Sequence, residues 1–314
     1  MPRETQNAQA VQAYHDRIWA IEPSRMRSYL STFVSESVFS MSFDEIEARC
    51  CPRKCEYYGL DGEAVAVRDG RQSQSMVGVL PLVGPITYRP SGFAAFFGGT
   101  SLMKWERALA EMVANPAVGA IVLDVDSPGG SVAGVAEAAE RIRQANRVKP
   151  IVAVANTITA SAAYWLASQA SEIVVTQSGE IGSVGVYSLH LDYSEALKQF
   201  GIKATFIFAG QHKVDGNPYE PLSEEARKEE QESVDDYYRE FVESVAKGRN
   251  TTPTAVKRDY GQGRMLRPAK AVEAGMANRI GTIDSAIRLA AGVLKQRSTD
   301  AAACEALRLE LESV

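Results

Sequence analysis

Residues 120–131 read AIVLDVDSPGGS, and they decide the fold class. The run up to residue 125 is almost continuously apolar and rich in Val, Ile and Leu, as in strands buried on both faces of a parallel sheet. Two adjacent glycines then predict a tight turn. Val132, Val135, Ala139 and Ile142 follow at helical spacing, so strand, turn and helix succeed one another as in an α/β fold.

The same alternation extends along the chain on both sides of this unit. Apolar runs predict further strands at residues 76–82, 151–155, 172–176, 184–191 and 204–208, with helices at 102–112 and 160–167. Beyond residue 222 the pattern is helical, with Ser223 and Thr252 as N-caps and Gly275 closing the helix that opens at Pro268. The sequence therefore predicts a mostly parallel sheet with helices packed outside it.

The pattern divides the chain into three parts. Residues 1–75 read as an N-terminal extension of helices and loops, in which the apolar residues from Met26 onwards have helical spacing. Residues 76–295 carry the strand–helix alternation and form the predicted main domain. Residues 296–314 read as a polar C-terminal tail.

Composition argues against several classes of protein. The 314 residues carry a net charge of −5 at pH 7, whereas nucleic-acid backbones attract clustered Lys and Arg. No apolar run is long enough for a transmembrane helix and the N-terminus lacks a signal core, so we expect a cytoplasmic protein without a membrane anchor. The cysteines lack the paired spacing and the neighbouring His of a zinc site and are expected to be reduced thiols: Cys50, Cys51, Cys55 and Cys304.

The loop at residues 126–131 offers backbone donors. Gly129 and Gly130 have no Cβ to shield their N–H groups, and the loop precedes a predicted helix. Fixed donors of this kind form an oxyanion hole, which stabilises negative charge that develops on a carbonyl oxygen. A plain strand-to-helix turn and a phosphate cradle are the alternatives, although the loop lacks the pattern of a nucleotide P-loop.

Two further loops offer a nucleophile and a base. Ser161 lies in TITASAAY (157–164), where a predicted strand passes into a helix; the alternative is that it only caps that helix. Lys213 lies in GQHKVD (210–215), and the alternative is an ordinary surface lysine. A serine hydroxyl needs a base at neutral pH, and a lysine amine can serve where its surroundings favour the neutral form.

Four motifs together resemble the signal peptide peptidase A family of serine–lysine peptidases. They are DSPGG (126–130), TASAAY (159–164), GEIGSVG (179–185) and GQHK (210–213), and they occur in the family's order. The resemblance covers about residues 76–294, with a looser match at 19–33. Within the family it is strongest to the head-maturation, or capsid assembly, proteases of tailed phages and prophages.

The resemblance implies a crotonase-like α/β fold, in which a parallel sheet is flanked by helices, here with an N-terminal helical extension. It implies that Ser161 is the nucleophile and Lys213 its base. The Gly130 N–H would bind the oxyanion, Gly129 would shape the turn, and Ser183 would orient the lysine. No metal or organic cofactor is required by this mechanism.

The resemblance also implies partners. Substrates would be scaffold, portal or coat proteins, or the protease itself, and the protease would be a homo-oligomer whose protomers complete each other's sites. One departure concerns Ala162 and Ala163, where the family often has glycines, so the space beside the nucleophile is slightly narrower. The family's membrane anchor and the fused C-terminal scaffold region of some phage proteases are also missing.

Four alternatives remain open at this point. His212 would be the base of the commoner Ser–His–Asp arrangement, but on an extended segment it would point away from Lys213. An acyl-CoA hydratase or isomerase shares the fold and the oxyanion loop but would need acidic catalysts. An inactive shell component would not need Ser161, Lys213 and Ser183 together. A signal-peptide-peptidase-like bacterial protease would degrade membrane-derived or cytoplasmic peptides.

Overall fold

The computed structural model describes residues 18–26, 42–50, 54–65 and 76–296. The strands are β1 (Trp19–Ile21), β2 (Glu56–Gly59), β3 (Met76–Val83), β4 (Ile86–Thr87), β5 (Thr100–Ser101), β6 (Val118–Ser127), β7 (Gly129–Ser131), β8 (Ile151–Ala160), β9 (Glu172–Val175), β10 (Glu180–Gly182), β11 (Met265–Leu266) and β12 (Arg279–Ile280). The helices are α1 (Phe43–Arg49), α2 (Gly92–Phe96), α3 (Leu102–Ala114), α4 (Val135–Val148), α5 (Ala162–Ala167), α6 (Ser194–Gln199), α7 (Glu224–Gly248), α8 (Pro253–Asp259), α9 (Pro268–Glu273) and α10 (283–296).

A mostly parallel sheet forms the centre of the fold. Its strands β3, β6 and β8 run parallel to one another, and β2 pairs antiparallel with β3 at one edge. On the other side of β8, β9 pairs with its first half and β10 with its last residues, both parallel. Alternate side chains of these strands enter two separate apolar clusters, so the sheet is buried on both faces.

A second, smaller sheet has the order β1-β7-β4-β5. The chain passes from β6 into β7 with Pro128 alone between them, so the two sheets meet at the glycine loop. A Cβ at Gly130 would lie 1.9 Å from the backbone oxygen of Ile86, and this clash is with main chain that cannot rotate away. Glycine is therefore required where β7 runs beside β4.

The helices cover the central sheet. Side chains from α3, α4, α5 and α7 share one cluster with the strands, and the face on the other side is covered by α10. The Trp165 ring of α5 stacks on Phe241 of α7, with ring centroids 4.5 Å apart and planes 7° apart. This contact fixes the long helix α7 against the short helix that follows Ser161.

Most of the predicted architecture is confirmed. The α/β class, the parallel sheet and the flanking helices are present, and Ser223 and Thr252 cap helices by accepting the N–H groups of Ala226 and Ala255. The first 75 residues supply more than helices and loops, because β1 joins the smaller sheet and β2 the central one. The predicted helix from Met26 onwards lies largely outside the described residues.

Two predicted strands are wrong. Residues 184–191 form no strand apart from a single bridge at Tyr187, and residues 204–208 have no regular structure. The apolar side chains of the second segment face water in the single chain: Ile207 is 99% exposed and Phe208 52%. The apolar character of this segment predicted a buried strand, but the described part of a single chain does not bury these two side chains.

The stacked pair gives a test of the packing. Phe241→Ala should lower the free energy of unfolding by about 3–5 kcal/mol, because it removes a fully buried ring and leaves a cavity against Trp165. Tyr237→Ala, a change to an exposed ring on the same helix, should cost less than about 1 kcal/mol. Urea unfolding measures both, and equal losses would contradict this packing.

Candidate active site

Ser161 lies on a strained turn between β8 and α5. Its φ of 54° and ψ of −120° are unfavourable for a residue with a side chain, and such outliers concentrate at functional sites. Its side chain makes no hydrogen bond that caps α5, so the capping alternative is excluded. The same kind of sharp strand-to-helix turn presents the nucleophile in other hydrolase folds.

Two carbonyls, one at the end of β10 and one just after it, hold Ser161 in place. The Ser161 N–H donates to the Gly182 oxygen at 2.8 Å, and Oγ donates to the Gly185 oxygen at 3.3 Å. The motif at 179–185 was singled out in the sequence, but its backbone role was not predicted. Hydrogen bonds between backbone groups of distant segments leave no signal in the side-chain pattern.

The glycine loop packs directly against this turn. A Cβ at Gly129 would lie 2.9 Å from the Ala160 oxygen and 3.0 Å from the Ala162 nitrogen, the two neighbours of Ser161. Gly129 also has a φ of 94°, which other residues avoid. Its N–H donates to the Ser127 hydroxyl at 3.1 Å. The structure thus brings the predicted oxyanion loop and the predicted nucleophile together.

One expectation about this loop is wrong. Its N–H groups do not lie at a helix N-terminus, because β7 intervenes and α4 begins only at Val135. Gly129 to Ser131 instead form a strand between β1 and β4. This extended geometry does not favour the phosphate-cradle alternative, which relies on donors converging at a helix end.

Ser183 follows Gly182, whose carbonyl accepts the Ser161 N–H. It is 4% exposed and has a φ of 54°, and its N–H donates to the Arg264 oxygen at 2.9 Å. Ser183 is therefore a second strained residue near Ser161. Beside Ser183 and Gly185 lies a cavity of about 590 Å³, which Tyr187 and residues of α7 also line. Burial, with the Glu22 carboxylate nearby, raises the pKa of Tyr187 to about 12, so this hydroxyl stays protonated at neutral pH.

Lys213 is not brought to Ser161 within one chain. It is exposed on a turn at 209–216, and its N–H donates to the Gly210 oxygen at 3.1 Å. Across the described ranges, no hydrogen bond joins its amine to Ser161 or Ser183. The expectation that His212 and Lys213 point in opposite directions assumed an extended segment. The structure has a turn there instead.

His212 pairs with Asp215, with 2.9 Å between Nδ1 and Oδ2. The hydrogen bond that the Asp215 carboxylate accepts from the imidazole raises the pKa of His212. These two residues and Glu229 form the one group of potential metal ligands found in the described part of the chain, with ligand atoms within 4.8 Å of one another. All three are exposed, and such spacing is common among surface acidic groups.

The helices of the described ranges include none that is both long and apolar enough to cross a bilayer.

The strain at Ser161 can be measured. Replacing alanine by glycine at an ordinary position costs about 0.5–1 kcal/mol, whereas a side chain at positive φ costs about 1–3 kcal/mol. We therefore expect Ser161→Gly to be as stable as Ser161→Ala or more stable, by up to about 2 kcal/mol. Ala163→Gly, on the helix that follows, should lose about 1 kcal/mol relative to the parent protein. Denaturant unfolding of the three variants checks the sign, and a less stable Ser161→Gly would contradict the strained turn.

The chain resembles two phage proteins in sequence. The chain is 35% identical over 218 residues to the head-tail preconnector protein GP5 of Enterobacteria phage P21, covering 69% of this chain and 43% of that protein. It is 30% identical over 283 residues to the capsid assembly protease C of Escherichia phage lambda, covering 89% of this chain and 64% of that protein. A solved membrane-bound stomatin-specific protease superposes with a TM-score of 0.42 and 16% identity, covering 67% of this chain and 80% of that one.

The chain thus spans about half to two thirds of the length of these curated relatives. Residues 143–297, which include Ser161, Ser183 and Lys213, match the family model described as Peptidase family S49. The chain is thus similar to peptidase family S49 over about half of its length, and to the two phage proteins over more of it.

Proposed function

We propose that the chain is a serine endopeptidase with Ser161 as nucleophile and Lys213 as general base. The observation that carries the proposal is the buried, strained Ser161 turn packed against the glycine loop. Such strain is costly, and a serine that served only the fold could be replaced by glycine without loss. The match of residues 143–297 to Peptidase family S49 supports the same activity.

In the proposed mechanism Ser161 Oγ attacks the scissile carbonyl and gives its proton to the Lys213 amine. The developing oxyanion accepts a hydrogen bond from the Gly130 N–H, while Gly129 keeps the loop close to the nucleophile. Lys213, oriented by Ser183, returns the proton to the leaving amine, and water then hydrolyses the acyl-enzyme. Among the described residues, the hydrogen-bond partners of Ser161 are backbone groups and no carboxylate is among them, which does not favour an acyl-CoA hydratase.

Lys213 is proposed to act on Ser161 of a neighbouring copy. In one chain its amine is exposed, and it follows a segment whose large apolar side chains face water: Phe200, Ile202, Ile207 and Phe208. An exposed apolar patch of this kind indicates an interface. A homo-oligomer would bury it and at the same time bring the base to the nucleophile.

The proposed substrates are the scaffold, portal or coat proteins of an assembling phage head. This follows from the names of the two phage relatives, of which one is a capsid assembly protease. The alternative is a bacterial protease that degrades membrane-derived or cytoplasmic peptides, since a putative signal peptide peptidase of Enterococcus faecium is also 33% identical over 183 residues. Co-expression with each phage structural protein, followed by sequencing of the cleaved ends, distinguishes the two.

The dyad is tested by single variants and by mixing them. Ser161→Ala and Lys213→Ala should each reduce casein cleavage at least about 1,000-fold, whereas Lys203→Ala, an exposed lysine on the same segment, should retain activity. If the dyad forms between copies, co-assembly of the two inactive variants should restore activity, with about a quarter of the sites intact in a randomly mixed heterologous ring. Retained activity in Ser161→Ala would refute the nucleophile, and a lack of restoration would indicate that each dyad forms within one chain.

The base also predicts a pH dependence. A lysine amine accepts a proton only when it is neutral, so kcat/KM should rise from roughly pH 6 towards pH 9. His212 as base would instead give a plateau near neutral pH, and His212→Ala should leave the rise unchanged. Rates of peptide cleavage across this range check the assignment, and a profile that is flat at alkaline pH would contradict it.

A further inference from the structure

Strand β1 fills a groove between two backbone edges of the candidate site. On one side it pairs antiparallel with β7 of the glycine loop, with Ala20 opposite Gly130. On the other side Trp19 exchanges both backbone hydrogen bonds with Tyr187, at 2.9 and 3.0 Å. A strand held by two edges in this way has the geometry of a peptide bound by β-augmentation.

The register places one carbonyl of β1 at the predicted oxyanion donor. The Ile18 oxygen accepts the Val132 N–H at 3.3 Å, and the Glu22 N–H donates to the Pro128 oxygen at 2.8 Å. Alternate residues of an antiparallel strand face the same neighbour, so Ala20, midway between them, faces Gly130. The Ala20 carbonyl therefore takes the place that a scissile carbonyl would take.

The same carbonyl lies beside the nucleophile turn. A Cβ at Gly129 would lie 2.2 Å from the Ala20 oxygen and 3.0 Å from the Ala162 nitrogen. One glycine thus separates β1 from the backbone at Ser161. Ser161 and Ala20 have no exposed surface and Ile21 has 1%, so a substrate cannot reach the nucleophile while β1 is in place.

The side chains of β1 show what the groove accepts. Trp19 and Ile21 enter one apolar cluster, where the Trp19 ring meets Phe93 edge to face with centroids 6.4 Å apart. Ala20 points the other way, into the main core that also contains Ala162. A strand in this groove therefore has a small residue at the central position and large apolar residues on either side.

From these contacts we propose that Ile18 to Glu22 act as a built-in pseudosubstrate, which occupies the substrate strand and must leave before a substrate can bind. The inference rests on the proposed peptidase function and adds a regulation and a substrate class to it. Substrates are extended segments with a small residue in the place of Ala20, immediately before the scissile bond, and large apolar residues in the places of Trp19 and Ile21.

The test weakens β1 in the full-length protein. Trp19→Ala removes the main anchor of the strand, and Ala20→Asp places a charge in the apolar core, whereas Arg25→Ala changes an exposed residue outside the pairing. We expect the first two to raise kcat/KM for casein about ten-fold or more and the third to leave it unchanged. The free peptide IWAIEPSRM, which repeats residues 18–26, should inhibit Trp19→Ala competitively and more strongly than the wild type, and its Ala20→Asp form should not.

A second measurement does not depend on catalysis or on the stability of these variants. In Ser161→Ala, hydrogen exchange of the amides of residues 18–22 should accelerate when the peptide IWAIEPSRM is added in excess, because it displaces the strand. If wild type cleaves casein in a Ser161-dependent manner but neither variant is faster and these amides stay protected, the pseudosubstrate is refuted and the peptidase stands. If no form cleaves casein, the peptidase function fails, while faster exchange with the peptide would still support occupancy of the groove by β1.

Discussion

The close approach of three backbones at Gly129 is the constraint on which the rest of the site depends. The carbonyl of Ala20 touches this glycine from one side, and the turn around Ser161 touches it from the other. A Cβ at this position would clash with both, and the φ of 94° would itself be strained for any other residue. Three features follow from that one missing side chain. The chain turns sharply from the central sheet into the smaller one, the predicted oxyanion loop lies close to Ser161, and β1 packs directly against the loop.

The strain at Ser161 is tolerated because its surroundings are rigid. The central sheet is buried on both faces, and the turn is tied by hydrogen bonds from the Ser161 N–H to the Gly182 oxygen and from the Ser161 hydroxyl to the Gly185 oxygen. Helix α5, which follows the serine, is clamped by the stacking of Trp165 on Phe241. An unfavourable conformation persists only where such contacts outweigh its cost, so the core is organised around the position of one hydroxyl.

The sequence predicted those features that are decided locally. The runs that became β3, β6 and β8 are long and buried on both faces, and the caps at Ser223 and Thr252 need only the following turn. The strands β1, β7 and β10 have three residues each, too few for a periodic signal, and exist because distant segments pair with them. The run at 204–208 misled for the opposite reason: its side chains are apolar, yet a single chain leaves them in water. Motifs singled out Ser161, Gly129 and Ser183 as candidates, and the structure brings these residues close together, whereas it leaves a further candidate, Lys213, on the surface.

The burial of the proposed nucleophile and the exposure of the proposed base are both consistent with control of the activity by assembly and by substrate. In the isolated chain β1 covers Ser161. Lys213 lies on the surface, shortly after a segment with exposed apolar side chains. Under the proposed function two separate events make the site active. Assembly brings Lys213 of another copy to Ser161, and a substrate peptide displaces β1. The effective concentration of a tethered strand is high, so only substrates that match the groove or reach high local concentration displace it. Inside an assembling protein shell, the protease copies and their substrates would both be concentrated, whereas a dilute single chain has neither advantage. Activity would therefore be confined to the place where the substrates are gathered.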